Sequence, residues 1–323
     1  MESTSVAARP PRITIGMLNR NGIGRLRRCL PSVLALDHPS REILVADFGS
    51  TDGSLEYLEN LPPVRILRIA GGFHGAAGRA AIVAAAAGDL VFMVDNDIEV
   101  PDPDLLTNLE TRLQGREDIA FLSPLVLDTK TEMMNEIGLS LTRVQRPQPI
   151  SRVRGHGLVP AAGYYGNCVL FRRSIVDELG GFDTLYAFHN NDYDLGSRAH
   201  LLGYEVMIDT DRVVIHHGVS ARVDVDSVAW RYQFYLSSML RIVFRNYRLR
   251  NVALWTPITA GWIFTKALRL SILNRSLRPL AACIRSLGFF LRDLRDTLTT
   301  RHEVQRLRRV ARDRFLAIRP PVF

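Results

Sequence analysis

The sequence predicts an α/β fold: a doubly wound, mostly parallel sheet flanked by helices, followed by a C-terminal amphipathic helical appendage. Short apolar runs at 12–18, 42–46, 64–69 and 90–94 alternate with helix-patterned stretches. Such alternation is the signature of a parallel sheet covered by helices on both faces. The fourth run also ends abruptly in two carboxylates, Asp95 and Asp97. Open α/β sheets hold ligands just beyond their strand ends.

Residues 12–18 read as the first strand, and Asn19-Arg20-Asn21-Gly22 as the turn after it. Leu26, Leu30, Val33 and Leu34 then recur at helical spacing. A second strand at 42–46 leads into the loop 47–54, where Ser50, Thr51 or Asp52 is suited to cap the next helix. A third strand at 64–69, an alanine-rich helix at 76–87 and the strand at 90–94 follow. The middle, 128–163, is less regular, and 143–157 mixes Arg, Pro, Gln and Gly as an exposed loop does. A strand at 169–172, a helix near 174–179, the tight turn Gly180-Gly181-Phe182-Asp183 and a strand at 213–217 complete the pattern. The expected division is a flexible N-terminus at 1–11, an α/β domain at 12–225 and a basic helical region at 226–323.

Charge separates the same two regions. The net charge of the 323 residues is +8, but residues 241–323 hold 18 basic and 4 acidic side chains. The preceding 240 residues are net acidic, with 23 basic and 29 acidic side chains. An acidic body with a basic tail suits an anionic partner surface. The most apolar stretch, 252–265, stops at Lys266, short of the ~20 residues that span a bilayer. An interfacial or core-packed helix pair is therefore expected. Ile284, Leu287, Leu291, Leu294 and Leu298 step by three and four with arginines between them. Trp230, Tyr232, Phe234, Tyr235, Phe244 and Tyr247 interleave with arginines. They suit a lipid headgroup interface or packing onto the α/β domain, with nucleic acid the weakest of the three readings. Cys29, Cys168 and Cys283 form no CxxC pair, and 1–12 lacks an apolar core, so a reducing, cytoplasmic location is expected.

Asp95 and Asp97 are two apart, so on an extended segment they share a face and can serve one divalent ion. Hard oxygen ligands favour Mg²⁺ or Mn²⁺, ions that commonly bridge to phosphates. Further motifs follow in a fixed order: Asn19-Arg20-Asn21-Gly22, then Asp47-Phe48-Gly49-Ser50-Thr51-Asp52-Gly53-Ser54, then Asp95-Asn96-Asp97. Gly166-Asn167-Cys168, Gly180-Gly181-Phe182-Asp183, Asn191-Asp192-Tyr193-Asp194-Leu195 and His216-His217-Gly218 continue the series. Over about 12–222 this order resembles the family 2 glycosyltransferases of the GT-A fold, and most of all the rhamnosyl-type transferases of bacterial surface polysaccharide assembly.

The resemblance implies a nucleotide-sugar donor, a divalent cation and inversion at the anomeric carbon. It implies donor-binding roles for Asn19, Asp47, Arg79, Asp95 and Asn96, and metal-binding roles for Asp97 and His216. Asp47 could accept the imide N–H of a uracil or thymine, or could cap a helix. Arg79 follows a small-residue loop that lets phosphates approach the backbone; its alternative is an exposed surface arginine. His217 is the register alternative to His216, and either could be a core residue instead. Asp192 is the implied base. Gly166, Asn167, Asn191 and Asp194 are candidate acceptor contacts, with Asp194 alternatively bonding structure. Two residues depart from the family pattern: Asn191 stands where a glutamate is usual, and Phe48 where Asn or Asp is usual.

The expected function is sugar transfer to a hydroxyl of a cell-envelope glycan or lipid-linked acceptor, at the inner face of the cell membrane. The alternatives are a natural-product glycosyltransferase and a non-catalytic subunit that binds nucleotide sugar or glycan. A nucleotidyltransferase is disfavoured, because Asn19-Arg20-Asn21-Gly22 does not supply the glycine- and basic-rich phosphate signature expected near its first strand.

Overall fold

The computed structural model describes residues 13–129, 139–141, 147–149, 156–186, 190–218 and 225–318. The N-terminal arm and most of the expected loop at 143–157 lie outside the described residues. Strand and helix alternate at the start, as β1 (Ile13–Asn19), α1 (Ile23–Leu34), β2 (Arg41–Asp47), α2 (Ser54–Glu59), β3 (Val64–Arg68), α3 (Gly75–Ala85) and β4 (Leu90–Val94). Next come β5 (Ile98–Glu99), α4 (Leu105–Leu113), β6 (Ile119–Asp128), β7 (Leu139–Leu141), β8 (Pro147–Pro149) and β9 (Leu158–Pro160). Then follow β10 (Cys168–Arg172), α5 (Arg173–Glu178), α6 (Asn191–Leu202) and β11 (Glu205–His216). The tail is α7 (Val225–Asn246), α8 (Leu249–Leu273), α9 (Arg278–Arg292) and α10 (Leu294–Leu307).

Eight strands run in the order β3-β2-β1-β4-β10-β6-β11-β5, and β9 also pairs with β11 to make a nine-stranded sheet. The first four strands are parallel, as the alternation predicts. Beyond β4 the sheet is mixed: β10 runs antiparallel to both β4 and β6. Among the described residues no helix of the kind that joins parallel neighbours lies between β6 and β10.

Alternation along β1 explains why helices cover both faces. Ile13, Ile15 and Met17 point to the side packed by α1 and α4, among Leu26, Leu30, Leu105 and Leu109. Leu18 points to the other side, among Ala76 and Ile82 of α3 and the buried residues of α6 and the tail. All three cysteines are buried and free.

The tail packs onto the sheet domain through both apolar and polar contacts. Tyr193 and Tyr247 join hydroxyls at 2.7 Å, and Arg241 Nε donates to Asp183 at 2.9 Å. Of the tail aromatics, Tyr232 and Tyr247 are buried, and Tyr235 and Phe244 pack against the same core. Trp230 stays exposed. Most of the aromatic–arginine mixture is therefore interior packing, the second of its three readings.

Candidate active site

Three strand ends meet at one polar seam. Asn19 closes β1, and its Nδ2 donates to Asp47 Oδ2 at the end of β2 (2.8 Å). Asn96, just past β4, donates through Nδ2 to Asn19 Oδ1 at 2.8 Å. Asp47 also accepts from the Ser50 backbone N–H and hydroxyl, at 2.8 and 2.7 Å. Asn19 and Asp47 are almost wholly buried, so their polar atoms brace the strand ends and the following loop. Gly22 makes room for this seam, because a Cβ there would lie 2.4 Å from Asn19 Oδ1.

Asp95, Asn96 and Asp97 lie beyond the fully buried β4 and line a cleft of about 380 Å³ with Leu18, Arg20, Arg25, Phe73, Gly75 and Arg79. Arg79, in the second turn of α3, is largely buried, unlike a surface arginine. Its Nη2 donates to Asp95 Oδ1 at 3.2 Å and to the Gly166 carbonyl at 2.9 Å. Gly166 N–H in turn donates to Asp192 Oδ2 at 3.2 Å. A Cβ on Gly166 would sit 3.4 Å from Asp192 Oδ2 and 3.6 Å from Arg79 Nη2. Asn167 holds the same junction, its carbonyl accepting from Asp95 N–H at 2.8 Å.

Strand pairing selects between the two histidines. β11 runs antiparallel to β5 with His216 opposite Ile98, the residue after Asp97. His216 Nε2 comes to 3.6 Å from Asp97 Oδ1. His217 donates its backbone N–H to the Asp97 carbonyl at 2.8 Å, and its ring bonds Glu99 at 2.5 Å. A Cβ on Gly218 would lie 2.7 Å from His216 Cε1, so glycine leaves room for the imidazole there. Residues 97, 192 and 216 thus share one neighbourhood around Asp95.

The electrostatics suit a bound cation. Burial pushes Asp95 up to about 6; Asp97 and Asp192 add to this, while Arg79 and His216 oppose it. Burial also acts to raise Asp97, but the hydrogen bond and charge of His216 outweigh it and hold Asp97 below the ordinary value. Burial raises Asp192 despite the N–H groups of Tyr193 and Gly166 that bond it. A divalent cation beside Asp95 and Asp97 would offset the crowding of carboxylates. Among the described residues no group of three His, Cys, Asp or Glu side chains is placed to hold a metal ion by itself. Such an ion would take its remaining ligands from phosphate and water, as Mg²⁺ commonly does.

Asp194, two residues from Asp192, faces inward. Its carboxylate accepts from Arg198 Nε at 3.0 Å and Asn246 Nδ2 at 3.0 Å, and also pairs with Arg245. It is fully buried, and these bonds make it a structural residue rather than an acceptor contact. Asn191 is buried too, with its Oδ1 unbonded among the described residues. Cleft residues that the motifs did not single out are Arg20, Arg25 and Phe73. Arg20 stood inside the first motif, and Arg25 lies in the first turn of α1, so strand-end position was their available signal.

Phe48, the departure from a polar residue, fills apolar space. It is 2% exposed and packs its ring 5.2 Å from that of Phe73. A Cβ on Gly78 would lie 2.7 Å from Leu18 and 2.8 Å from Phe48. Gly78→Ala is therefore expected to cost about 1–3 kcal/mol by overpacking. Urea denaturation measures this, and an unchanged midpoint would show that Phe48 has free space.

Residues 14–180 match the family model described as glycosyl transferase family 2. The O-antigen biosynthesis protein RfbC of Myxococcus xanthus is 26% identical over 225 residues, 66% of this chain. The chain spans only 18% of that relative's length. Among solved structures, the Pyrobaculum calidifontis mannosyltransferase PcManGT, in complex with GDP-Man and Mn²⁺, matches with a TM-score of 0.55 at 18% identity. That match covers 93% of this chain and 86% of the other. S. aureus TarS 1–349, in complex with UDP-GlcNAc, matches with a TM-score of 0.62 at 14% identity, covering 91% and 90%. With the family model matched over more than half its length and the strand-end carboxylates gathered in one cleft, the chain belongs to glycosyl transferase family 2 and has the GT-A fold.

Proposed function

We propose that this glycosyltransferase moves a sugar, with inversion, from a nucleoside-diphosphate donor to a hydroxyl of a cell-envelope glycan or lipid-linked acceptor at the inner face of the cell membrane. The observation that carries this reading is the bonded series Asp95–Arg79–Gly166–Asp192 along one cleft. It sets a carboxylate of raised basicity beside a pair of carboxylates suited to a cation. Similarity to an O-antigen biosynthesis protein supports an envelope acceptor.

Asp97 and His216 would hold Mg²⁺ or Mn²⁺, with Asp95 beside them on the donor side; the ion when bound neutralises charge on the departing diphosphate. Arg79, Arg20 and Arg25 bring positive charge to the same cleft and orient the donor phosphates. Asn96 and Phe73 line the donor side, while Asn19 and Asp47 hold that wall in place. Asp192 accepts the proton of the acceptor hydroxyl as its oxygen attacks the anomeric carbon. Gly166 and Asn167 keep Asp192 and Asp95 in register.

Asp97→Ala tests the cation reading. Turnover with Mn²⁺ is expected to fall about 10²–10³-fold, the usual loss when a charge-stabilising group is removed. The rise in melting temperature that Mn²⁺ gives the wild type should disappear. That rise should itself grow with pH through about 6, because a proton on Asp95 competes with the ion. Unchanged turnover in Asp97→Ala, with Mn²⁺ still required, would sink the assignment.

A further inference from the structure

The α8–α9 hairpin is built with its larger apolar side chains outward. On α8 the buried residues are Thr259, Ile263, Ala267 and Ser271. Leu254, Phe264, Leu268 and Ile272 share another arc of the same helix and are exposed. On α9 the buried set includes Ala282, Cys283, Ser286 and Phe290, while Ile284, Leu287 and Leu291 are exposed. At the turn between the helices, Ile272, Leu273 and Leu277 are 67%, 67% and 74% exposed. A soluble surface seldom gathers large apolar residues while its buried side uses Thr, Ser and Ala.

Charge identifies the partner. Residues 249–292 contain seven Lys and Arg and no Asp or Glu. Arg275 and Arg278 flank the exposed turn, and Lys266, Arg269, Arg285 and Arg292 are exposed beside the apolar arcs. No described helix is long and apolar enough to cross a membrane. A second copy of this chain would set like charge against like charge across the face. The exposed side chains are mainly aliphatic, whereas single-stranded nucleic acid is held by exposed aromatic platforms. Leucines ringed by arginines fit the boundary between acyl chains and anionic headgroups.

We propose that the α8–α9 hairpin docks onto an anionic lipid bilayer, with Ile272, Leu273 and Leu277 entering the acyl boundary and Arg269, Arg275 and Arg278 held by headgroup phosphates. The helix carrying the hairpin also reaches the catalytic end of the sheet. Ser237 N–H on α7 donates to Ser286 Oγ on α9 at 2.9 Å. Asn190, which precedes α6, donates to Ser238 Oγ at 2.7 Å. A docked hairpin therefore holds Asp192 at a fixed height above the lipid, where a lipid-linked acceptor presents its hydroxyl. This deepens the reading of an envelope acceptor and rests on it for purpose. Its test involves no turnover, so either can fail while the other stands.

The test is flotation of the full chain with phosphatidylcholine vesicles, with and without phosphatidylglycerol, at low and high salt. Wild type should float with the anionic vesicles and keep a bound fraction at high salt. The variant I272N/L273N/L277N should bind at least about tenfold more weakly and lose the salt-resistant fraction. The variant R269Q/R275Q/R278Q should lose the preference for anionic vesicles. All six positions are exposed, so both variants should melt with the wild type. Three results would overturn the proposal: I272N/L273N/L277N binding like wild type, wild type failing to float, or a lipid-free dimer that this variant dissociates.

Discussion

Asp192→Asn should lose about 10²–10⁴-fold in kcat, the usual contribution of a positioned general base, while donor affinity stays near that of the wild type. The amide keeps the shape of the carboxylate, but its single oxygen can accept from only one of the two N–H groups that bond Asp192, Gly166 at 3.2 Å and Tyr193 at 2.9 Å. It loses the capacity to take a proton together with one of those two bonds. Arg79, Asp95 and Asp97, to which the proposed function gives the donor and its cation, line the cleft and are left in place by the substitution. The wild-type pH profile supplies a second readout. Burial lifts the Asp192 carboxyl above the ordinary aspartate value, so its proton is retained to higher pH than usual. A base works only when deprotonated, so kcat/KM should fall on the acid side, beginning above the range of an exposed aspartate. Single-turnover rates across pH, with donor affinity measured separately, check both points. If Asp192→Asn retains full kcat, the base lies elsewhere; if donor affinity collapses with kcat, Asp192 is a binding residue.

The strand ends were readable from the sequence because their signal is local. Apolar runs that stop at Asn19, Asp47 and Asp95 mark the edge of a parallel sheet, and the structure gathers those three residues at one end. Choosing between His216 and His217 needed the pairing of β11 with β5, which adjacent identical residues do not encode. Asp47 shows a different limit. A carboxylate after a strand suits either a ligand or a helix cap, and its bonds from Asn19 and Ser50, which brace the loop, become visible only in the folded chain. In the tail, the step of three and four from Ile284 to Leu298 marks amphipathic helix without saying which arc is buried. The core takes Ala282, Cys283, Ser286 and Phe290, and leaves Ile284, Leu287, Leu291 and Leu298 outside. Arg241 and Arg245 resemble their exposed neighbours in sequence, yet both are buried because Asp183 and Asp194 lie far away along the chain but close in space.

That buried network carries the largest expected stability effect. Asp194 is fully buried and pairs with Arg198 and Arg245, while Arg245 also pairs with Asp183. Replacing Asp194 with Asn leaves Arg198 in the interior with no carboxylate, only the Leu179 and Gly181 carbonyls, and leaves Arg245 with Asp183 alone. Breaking a buried pair from one side typically costs about 3–5 kcal/mol, since the remaining charge is neither solvated nor matched. Against a total of about 5–15 kcal/mol for a folded domain, that is a large share. Burial alone would raise Asp194, but Arg198 and Arg245 outweigh it and hold its carboxyl down to about 2. A folded-state value below the unfolded one means the carboxylate stabilises above its unfolded pKa of 3.8 and loses that contribution as pH falls through about 2. Chemical denaturation at neutral pH should therefore show the full loss in Asp194→Asn, and the gap from wild type should narrow from about pH 4 toward pH 2. Adding Arg245→Met to the variant should recover part of the stability, because it removes one of the stranded charges while keeping an apolar stem. If Asp194→Asn unfolds at the wild-type denaturant midpoint, or the gap widens in acid, the tail is held to the α6 helix by its apolar contacts and not by this charge network.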